Sequence, residues 1–240
     1  MKKQEVLESL KDGLIVSCQA VPEEPHYMEG ITVKFAECAA WAGAKGIRAN
    51  SPEDIRAIKA QVDLPVIGIW KINRNVKDVY LTPNLEAAKA VWEAGAEIIA
   101  VQATHHYRDD GKLAYETIRE IKENIPEALI FADVSTAEDA RIAAEMGADF
   151  VAPTLAGYTK AGAFDKLEIK DAPDYILLRD IVDAVKGTGA RVIMEGKVAT
   201  PEIAVQCLYM GAYAVVVGNA ITRPHITAKR FARALNRLHD

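Results

Sequence analysis

The sequence predicts a single-domain α/β protein, a (β/α)₈ barrel in which eight parallel strands alternate with eight helices. Short apolar runs alternate along the chain with amphipathic segments of helical periodicity. A motif consisting of a helix end, a glycine and a β-rich run recurs four times, as in "EAGAEIIAVQA" and "EMGADFVAPTLAG". Because no linker or low-complexity stretch interrupts this alternation, we expect one domain over residues 1–240.

The repeat indicates how many strands there are. Its glycines recur 52, 52 and 64 residues apart, which suits two strand–helix pairs per unit. A second set of apolar runs lies between the repeats: "GLIVSCQA", "LPVIGIWK", "ALIFADVS" and "ARVIMEG". Near-continuous apolar strands separated by helices indicate a parallel sheet covered on both faces, either an open doubly wound sheet or a closed barrel. The total of eight strands favours the barrel.

Helical periodicity and N-terminal capping signals define the intervening segments. Ser51-Pro52 and Thr200-Pro201 each supply an N-cap hydroxyl followed by a proline in the first turn. The three tryptophans are expected to pack in the core or between helices, and "YTKAGAFDKLEIKDAP" is expected to be an active-site loop. The predicted helices are 31–42, 52–60, 84–94, 112–124, 136–146, 174–187, 200–210 and 225–238.

Composition narrows the range of partners and compartments. The net charge of −5 and the pI near 5.6 argue against a surface for nucleic acid or an anionic membrane. Three scattered cysteines are too few for a disulfide framework or a Cys-x-x-Cys metal site. The N-terminal segment has no apolar stretch of signal-peptide length. We therefore expect a cytoplasmic protein that acts on a small molecule.

Polar side chains mark the carboxyl ends of the predicted strands, where barrels of this kind place their functional groups. Lys71 and Glu195 stand out because each ends a strongly apolar strand. Desolvation moves the pKa values of lysines and carboxylates toward the range useful for proton transfer. The strand-end residues are Ser17, Gln19, Arg48, Asn50, Lys71, Gln102, Thr104, Asp133, Ser135, Thr154, Glu195, Lys197, Gly218 and Asn219.

The last two strands indicate the ligand class. Gly218 ends the eighth predicted strand and Gly196 follows the seventh, positions where backbone N–H groups bind phosphate in this fold. Arg223 adds positive charge nearby. The adjacent His105 and His106 are not expected to bind a metal, because no carboxylate pair at suitable spacing joins them.

Seven segments in this order resemble the N-acetylmannosamine-6-phosphate 2-epimerases of bacterial sialic acid catabolism. The resemblance runs from about residue 13 to residue 231, and "GIRAN" and "AITRP" are its most specific parts. The other segments are "SCQA", "PVIGIWK", "DVYLTP", "ADVST" and "EGKVATPEIA". The family is a TIM barrel that interconverts N-acetylmannosamine 6-phosphate and N-acetylglucosamine 6-phosphate without a cofactor.

Carried over residue by residue, the resemblance implies roles for individual side chains. Lys71 and Glu195 would be the proton-transfer pair. Gln19, Arg48, Asp133 and Arg223 would bind or orient the sugar phosphate, with Gln102 also near the sugar. Inversion at C2 requires removal of a proton and its return from the opposite face, and the third and seventh strands of such a barrel lie across from each other.

Three residues depart from the family pattern. Gln102 stands where an acid is expected, Lys197 where arginine is commoner, and Asn219 where a second small residue is common. The segment "HHYRDDG" also lacks the basic run associated with the family. These departures leave a related hexosamine phosphate, or another 2-acylamino sugar phosphate, open as the substrate.

Other readings of the same barrel remain open at this point. Phosphate-binding barrels also host decarboxylases, aldolases and ring isomerases, and fold alone does not choose among them. The strand-end lysines lack the Asp-x-Lys grouping expected of a decarboxylase, whereas a Schiff-base aldolase using Lys71 remains open. A sugar-phosphate-binding protein without turnover is the non-enzyme alternative. A homodimer could form through the helices containing "AVWEAGA" or "AVQCLYM".

Overall fold

The strands close into a barrel, as the sequence predicts. The computed structural model describes residues 2–72, 79–157 and 172–236. Eight strands pair in parallel in the order of the chain, and β8 pairs with β1. The strands are β1 (Leu14–Cys18), β2 (Gly46–Asn50), β3 (Val66–Ile69), β4 (Ile98–Gln102), β5 (Leu129–Asp133), β6 (Phe150–Ala152), β7 (Arg191–Glu195) and β8 (Ala214–Val217).

Every helix predicted from periodicity is present, and the described residues contain two more. The additional helices are α1 and α9, which precede β1 and follow β8. The expected active-site loop lies largely in residues 158–171, outside the described residues. The helices are α1 (Lys3–Leu10), α2 (Ile31–Trp41), α3 (Pro52–Lys59), α4 (Leu85–Glu93), α5 (Glu116–Asn124), α6 (Ala137–Glu145), α7 (Tyr175–Ala184), α8 (Pro201–Tyr209), α9 (Asn219–Thr222) and α10 (Pro224–Asn236).

Local chemistry fixes where these helices begin and end. The side chains of Ser51, Thr136 and Thr200 each accept a hydrogen bond from the backbone N–H three residues on, as N-caps do. The repeated glycine of the sequence motif follows the helix C-terminus in a left-handed conformation, with φ of 103° at Gly95 and 97° at Gly147. Glycine adopts this conformation without strain, which explains why the motif recurs before strands.

The core has two layers separated by the barrel wall. Alternate residues of each strand point outward to the helices or inward to the lumen, where Ile67, Phe131 and Ile193 belong to one buried cluster. Val6 and Leu10 of α1 join this lumen cluster. Because α1 directly precedes β1, it covers the amino-terminal end of the barrel with apolar side chains. The carboxyl end is left to the polar strand-end residues.

The expectation for the tryptophans is wrong for one of the three. Trp41 ends α2 with 91% of its surface exposed, whereas Trp70 and Trp92 are partly buried against the outer core. The amphipathic pattern of the sequence predicts the helix that Trp41 ends. It does not predict whether another element of the fold covers the Trp41 side chain. Within the described ranges, no helix combines the length and apolar character needed to cross a bilayer.

The lumen packing predicts a large stability difference between two isoleucines. Ile15 of β1 is fully buried in the lumen, whereas Ile176 of α7 is 66% exposed. Ile15→Ala should lower the free energy of unfolding by about 2–5 kcal/mol, because it removes buried methyl groups and leaves a cavity. Ile176→Ala, the matched control, should change it by less than about 0.5 kcal/mol. Urea unfolding measures both, and equal effects would contradict the lumen assignment.

Candidate active site

Polar residues replace apolar ones at the last inward-facing positions of the strands. On β5 the lumen series Leu129, Phe131 ends with Asp133, and on β3 the series Ile67, Ile69 continues to Lys71. The same alternation puts the side chains of Arg48, Gln102 and Glu195 at this end, beside a hydrophobic lumen. The structure therefore brings the predicted strand-end residues together at one end of the barrel.

Arg48 of β2 holds two carboxylates from the far side of the barrel. Its Nη2 donates to Oδ2 of Asp133 at 2.7 Å, and its Nη1 donates to the carboxylate of Glu195. Arg48 and Asp133 are 2% and 0% exposed, and the guanidinium lies 4.9 Å from the ring centre of Phe131. A buried guanidinium must be paired, and losing one partner of such a pair costs about 3–5 kcal/mol.

Two atoms of this bridge point to a ligand. Nε of Arg48 and Oδ1 of Asp133 are buried and have no hydrogen-bond partner among the described residues. Buried polar atoms in folded proteins are nearly always hydrogen-bonded, so unpaired ones at a functional site suggest a role in binding. One donor and one acceptor suit the polar groups of a sugar.

Burial changes the protonation chemistry of Glu195. Desolvation raises its pKa above the usual glutamate value, with the charge of Asp133 acting in the same direction. The positive charges of Arg48 and Lys71 oppose this shift without cancelling it. Burial also acts to lower the pKa of Arg48, but Asp133 and Glu195 raise it overall, so Arg48 stays protonated. The raised pKa brings Glu195 closer to the range useful for exchanging a proton.

Lys71 projects its ammonium group toward β1. Its Nζ donates to Oε1 of Gln19 at 2.5 Å, and Nε2 of Gln19 donates to the hydroxyl of Ser17 at 3.0 Å. The backbone N–H of Lys71 donates to Oδ1 of Asn50 at 2.9 Å. Residues from β1 and β2, and the residue just after β1, thus fix both ends of the lysine, which orients its amine for proton transfer to or from a bound molecule.

Gln102 has protein partners at both ends of its side-chain amide. Oε1 accepts from the backbone N–H of Tyr80 at 3.2 Å, and Nε2 donates to the hydroxyl of Thr104 at 3.1 Å. The Thr104 hydroxyl also lies 2.9 Å from Nδ1 of His106. These contacts link the end of β4 to the backbone of Tyr80 and to the residues that follow β4 in the chain.

The predicted phosphate-binding residues gather after β7 and β8. Gly218 caps the short helix α9, and Gly196 has a φ of 110° that favours glycine. Nη1 of Arg223 donates to Oδ1 of Asn219 at 2.7 Å, and its Nε donates to Glu24. Although burial opposes it, the hydrogen bond and charge of Arg223 lower the pKa of Glu24.

Other candidates lie apart from the central bridge. Lys197 is exposed, while Ser135 donates to Asp139 at the start of α6. The hydroxyl of Thr154 is buried and has no partner among the described residues. His105 contacts Asp139 at 2.8 Å, a different partner from that of His106. No three His, Cys, Asp or Glu side chains in the described ranges are placed to hold a metal ion.

Two contributors to the site were not predicted from the sequence. Glu24 pairs with Arg223, and the backbone N–H of Tyr80 pairs with Gln102. The sequence offers no reason to choose Glu24 over the adjacent Glu23. Tyr80 acts through its main chain, which leaves no signal in residue type.

The fold and the site define the class of protein as a (β/α)₈-barrel enzyme with an acid, an arginine and a lysine at the carboxyl end of its strands. A sequence model of the family described as "Putative N-acetylmannosamine-6-phosphate epimerase" matches residues 32–237. The chain belongs to this family.

Individual relatives cover nearly the whole chain. A putative N-acetylmannosamine-6-phosphate 2-epimerase of Listeria welshimeri is 40% identical over 98% of this chain and 97% of its own length. One from Caldanaerobacter subterraneus is 43% identical over 95% and 93%. The solved structure of the N-acetylmannosamine-6-phosphate 2-epimerase from Clostridium perfringens superposes with a TM-score of 0.85 at 36% identity, covering 95% of both chains.

The raised pKa of Glu195 predicts a pH-dependent stability. A carboxyl group whose pKa is higher folded than unfolded stabilises the fold fully below the unfolded pKa, and this contribution is lost as pH rises through the folded pKa. Glu195→Gln abolishes this dependence. The quantity to follow is the free energy of unfolding of this variant minus that of wild type. As the pH increases beyond 4.5, the ordinary glutamate value, this difference should rise by at most about 1.4 kcal/mol per pH unit.

Denaturant unfolding at a series of pH values measures this difference. Glu127→Gln, a change at an exposed glutamate, is the matched control and should give a flat difference. A flat difference for Glu195→Gln as well would contradict the raised pKa.

Proposed function

We propose that the protein interconverts N-acetylmannosamine 6-phosphate and N-acetylglucosamine 6-phosphate by removing and returning the proton at C2. The observation that carries the proposal is the site itself: Glu195, partly buried and of raised pKa, shares the barrel mouth with Lys71. Membership of the epimerase family and the names of the relatives support the choice of substrate. The reaction as proposed uses no cofactor.

Phosphate binding comes first in the proposed sequence. In this proposal the phosphate group accepts hydrogen bonds from the backbone N–H groups at Gly196 and Gly218, because α9 begins after Gly218 and the first N–H groups of a helix have no acceptor within that helix. Arg223, which Asn219 and Glu24 hold in place, and Asn219 itself lie beside this site. Anchoring the phosphate positions the rest of the sugar toward the barrel axis.

Proton transfer follows once the sugar ring opens. The C1 carbonyl of the open-chain sugar acidifies the neighbouring C2 proton, so a base can remove it and leave an enolate. One of Lys71 and Glu195 takes this proton, and the other returns a proton to the opposite face of C2. In the closed barrel three strands lie between β3 and β7 in either direction, which suits attack from two faces.

The Arg48 bridge supplies the polar environment for this step. Nε of Arg48 is a donor available to an oxygen that develops negative charge, and Oδ1 of Asp133 is an acceptor available to the acetamido N–H or a hydroxyl. Both groups are buried and fixed by the ion pair, so they need little reorganisation during the reaction. Gln19 orients Lys71 and lies next to the bound sugar.

Proton NMR in D₂O tests the proposed reaction. Purified protein with N-acetylmannosamine 6-phosphate and no cofactor should produce N-acetylglucosamine 6-phosphate carrying deuterium at C2. Lys71→Met and Glu195→Gln should each lower kcat by about 10²–10⁴-fold, the usual contribution of a positioned acid or base. Lys186→Met, a change at an exposed lysine of the turn after α7, should keep the wild-type rate.

Two outcomes would contradict this function. If wild-type protein binds the sugar phosphate but neither epimer nor deuterium appears, the substrate is another phosphorylated amino sugar. If borohydride together with the substrate traps a covalent adduct on Lys71, the enzyme is a Schiff-base aldolase.

We also propose a homodimer, formed through α8. The other candidate segment, at the end of α4, buries Val91 and Ala94, whereas α8 leaves Val205 49% and Tyr209 89% exposed. These two apolar residues lie one turn apart on the same face of α8, and exposed apolar patches often mark interfaces.

Light scattering should show a dimer that Tyr209→Glu converts to a monomer. Tyr107→Glu, at a tyrosine 68% exposed elsewhere, should not, and a monomeric wild type would contradict the proposal.

The cysteines support a reducing, cytoplasmic location for this reaction. Cys18, Cys38 and Cys207 are all free thiols, and Cys18 and Cys207 are buried in the core. Burial raises the pKa of both buried thiols, so they serve as small apolar side chains.

A further inference from the structure

Gln102 occupies a position next to the segment that returns toward Lys71. Residues 79–82, here called the return segment, run antiparallel to residues 70–72, and Lys71 pairs with Leu81 in this short ladder. The N–H of Ile72 donates to the carbonyl of Tyr80 at 2.9 Å, and the N–H of Thr82 donates to the carbonyl of Trp70 at 2.8 Å. The position of the Lys71 backbone therefore depends on the position of the return segment beside it.

The other edge of the return segment is held by Gln102. The backbone N–H of Gln102 donates to the carbonyl of Leu81 at 3.0 Å, and its Oε1 accepts from the N–H of Tyr80 at 3.2 Å. Main chain and side chain of one residue thus bond consecutive residues of the return segment. The side-chain carbonyl of Gln102 thus accepts a hydrogen bond that a backbone carbonyl would accept in a regular strand pair.

The remaining contacts of Gln102 keep its amide in the orientation that this ladder needs. Nε2 donates to the hydroxyl of Thr104, which lies 2.9 Å from Nδ1 of His106. Gln102 and Thr104 are 2% and 0% exposed, so water does not compete for these bonds. Because the Tyr80 N–H can only donate, Oε1 of Gln102 must face it, and Nε2 then faces the Thr104 hydroxyl.

We propose that Gln102 is a positioning residue for Lys71, acting through the return segment rather than by contact with the substrate. The inference rests on the proposed function, since it assumes that Lys71 exchanges the C2 proton. A displacement of Lys71 by a fraction of an ångström would slow proton transfer while leaving the phosphate anchor at Gly196 and Gly218 intact. Gln102 should therefore control kcat and not KM.

The test compares variants that keep or lose the acceptor for the Tyr80 N–H. Gln102→Asn retains an amide, but its carbonyl is one methylene too short to reach Tyr80. This variant should lower kcat about 10- to 100-fold, the cost of misplacing a reacting group, with KM within about twofold of wild type. Gln102→Met, which has the length but no acceptor, should do the same and serves as a second variant should the first fail to fold.

Gln102→Glu and Gln61→Asn complete the set. The carboxylate of Gln102→Glu still accepts from Tyr80, so kcat should return to within about threefold of wild type, a rescue that the return-segment bond requires. Gln61 is exposed in the turn between α3 and β3, at the opposite end of the barrel from the site. Gln61→Asn should therefore leave kcat and KM unchanged. Thermal unfolding of each variant confirms that folded protein is compared.

The outcomes separate this inference from the proposed function. If wild-type protein shows no exchange at C2, the proposed function fails first. If wild type epimerises but the folded Asn or Met variant keeps the wild-type kcat, the positioning role is wrong. A rise in KM at unchanged kcat would also overturn it, because that result places Gln102 in contact with the substrate.

Discussion

The ion pairs of Arg48 with Asp133 and Glu195 are the interaction on which the site depends. A guanidinium with 2% exposure needs partners, and two carboxylates so close together need a cation between them. The three residues come from β2, β5 and β7, so their contacts form only when the barrel has closed. Folding and site assembly are thereby the same event, and the raised pKa of Glu195 is a consequence of the burial that closure imposes.

The division of the lumen sets the surroundings of this cluster. Apolar side chains from the strands and from α1 fill the amino-terminal part of the barrel and exclude water beneath the ion pairs. Exclusion of water strengthens the electrostatic interactions and keeps the proton on Glu195 at higher pH. Lys71 lies outside the bridge, held by Gln19 and by the return segment. The site thus combines a fixed electrostatic centre with a separately positioned amine.

Much of this arrangement could be predicted from the sequence, because its signals are local. Apolar runs and repeated glycines predicted the eight strands, and the positions of Arg48, Asp133 and Glu195 at strand ends predicted that they share one end of the barrel. Contacts between distant segments could not be predicted in this way. The pairing of Glu24 with Arg223 joins residues 199 apart, and Tyr80 contributes a backbone N–H that no residue type announces. The exposure of Trp41 likewise depends on what packs beside α2.

The proposed exchange of the C2 proton by two groups on opposite strands is tested most directly by the fate of that proton. N-acetylmannosamine 6-phosphate with protium at C2 is incubated in D₂O, and product and remaining substrate are analysed after less than a tenth of the conversion. Two-group exchange should give product carrying solvent deuterium at C2 and remaining substrate that keeps its protium. Product that retains the substrate's own proton would contradict it, because one group would then have carried that proton from face to face.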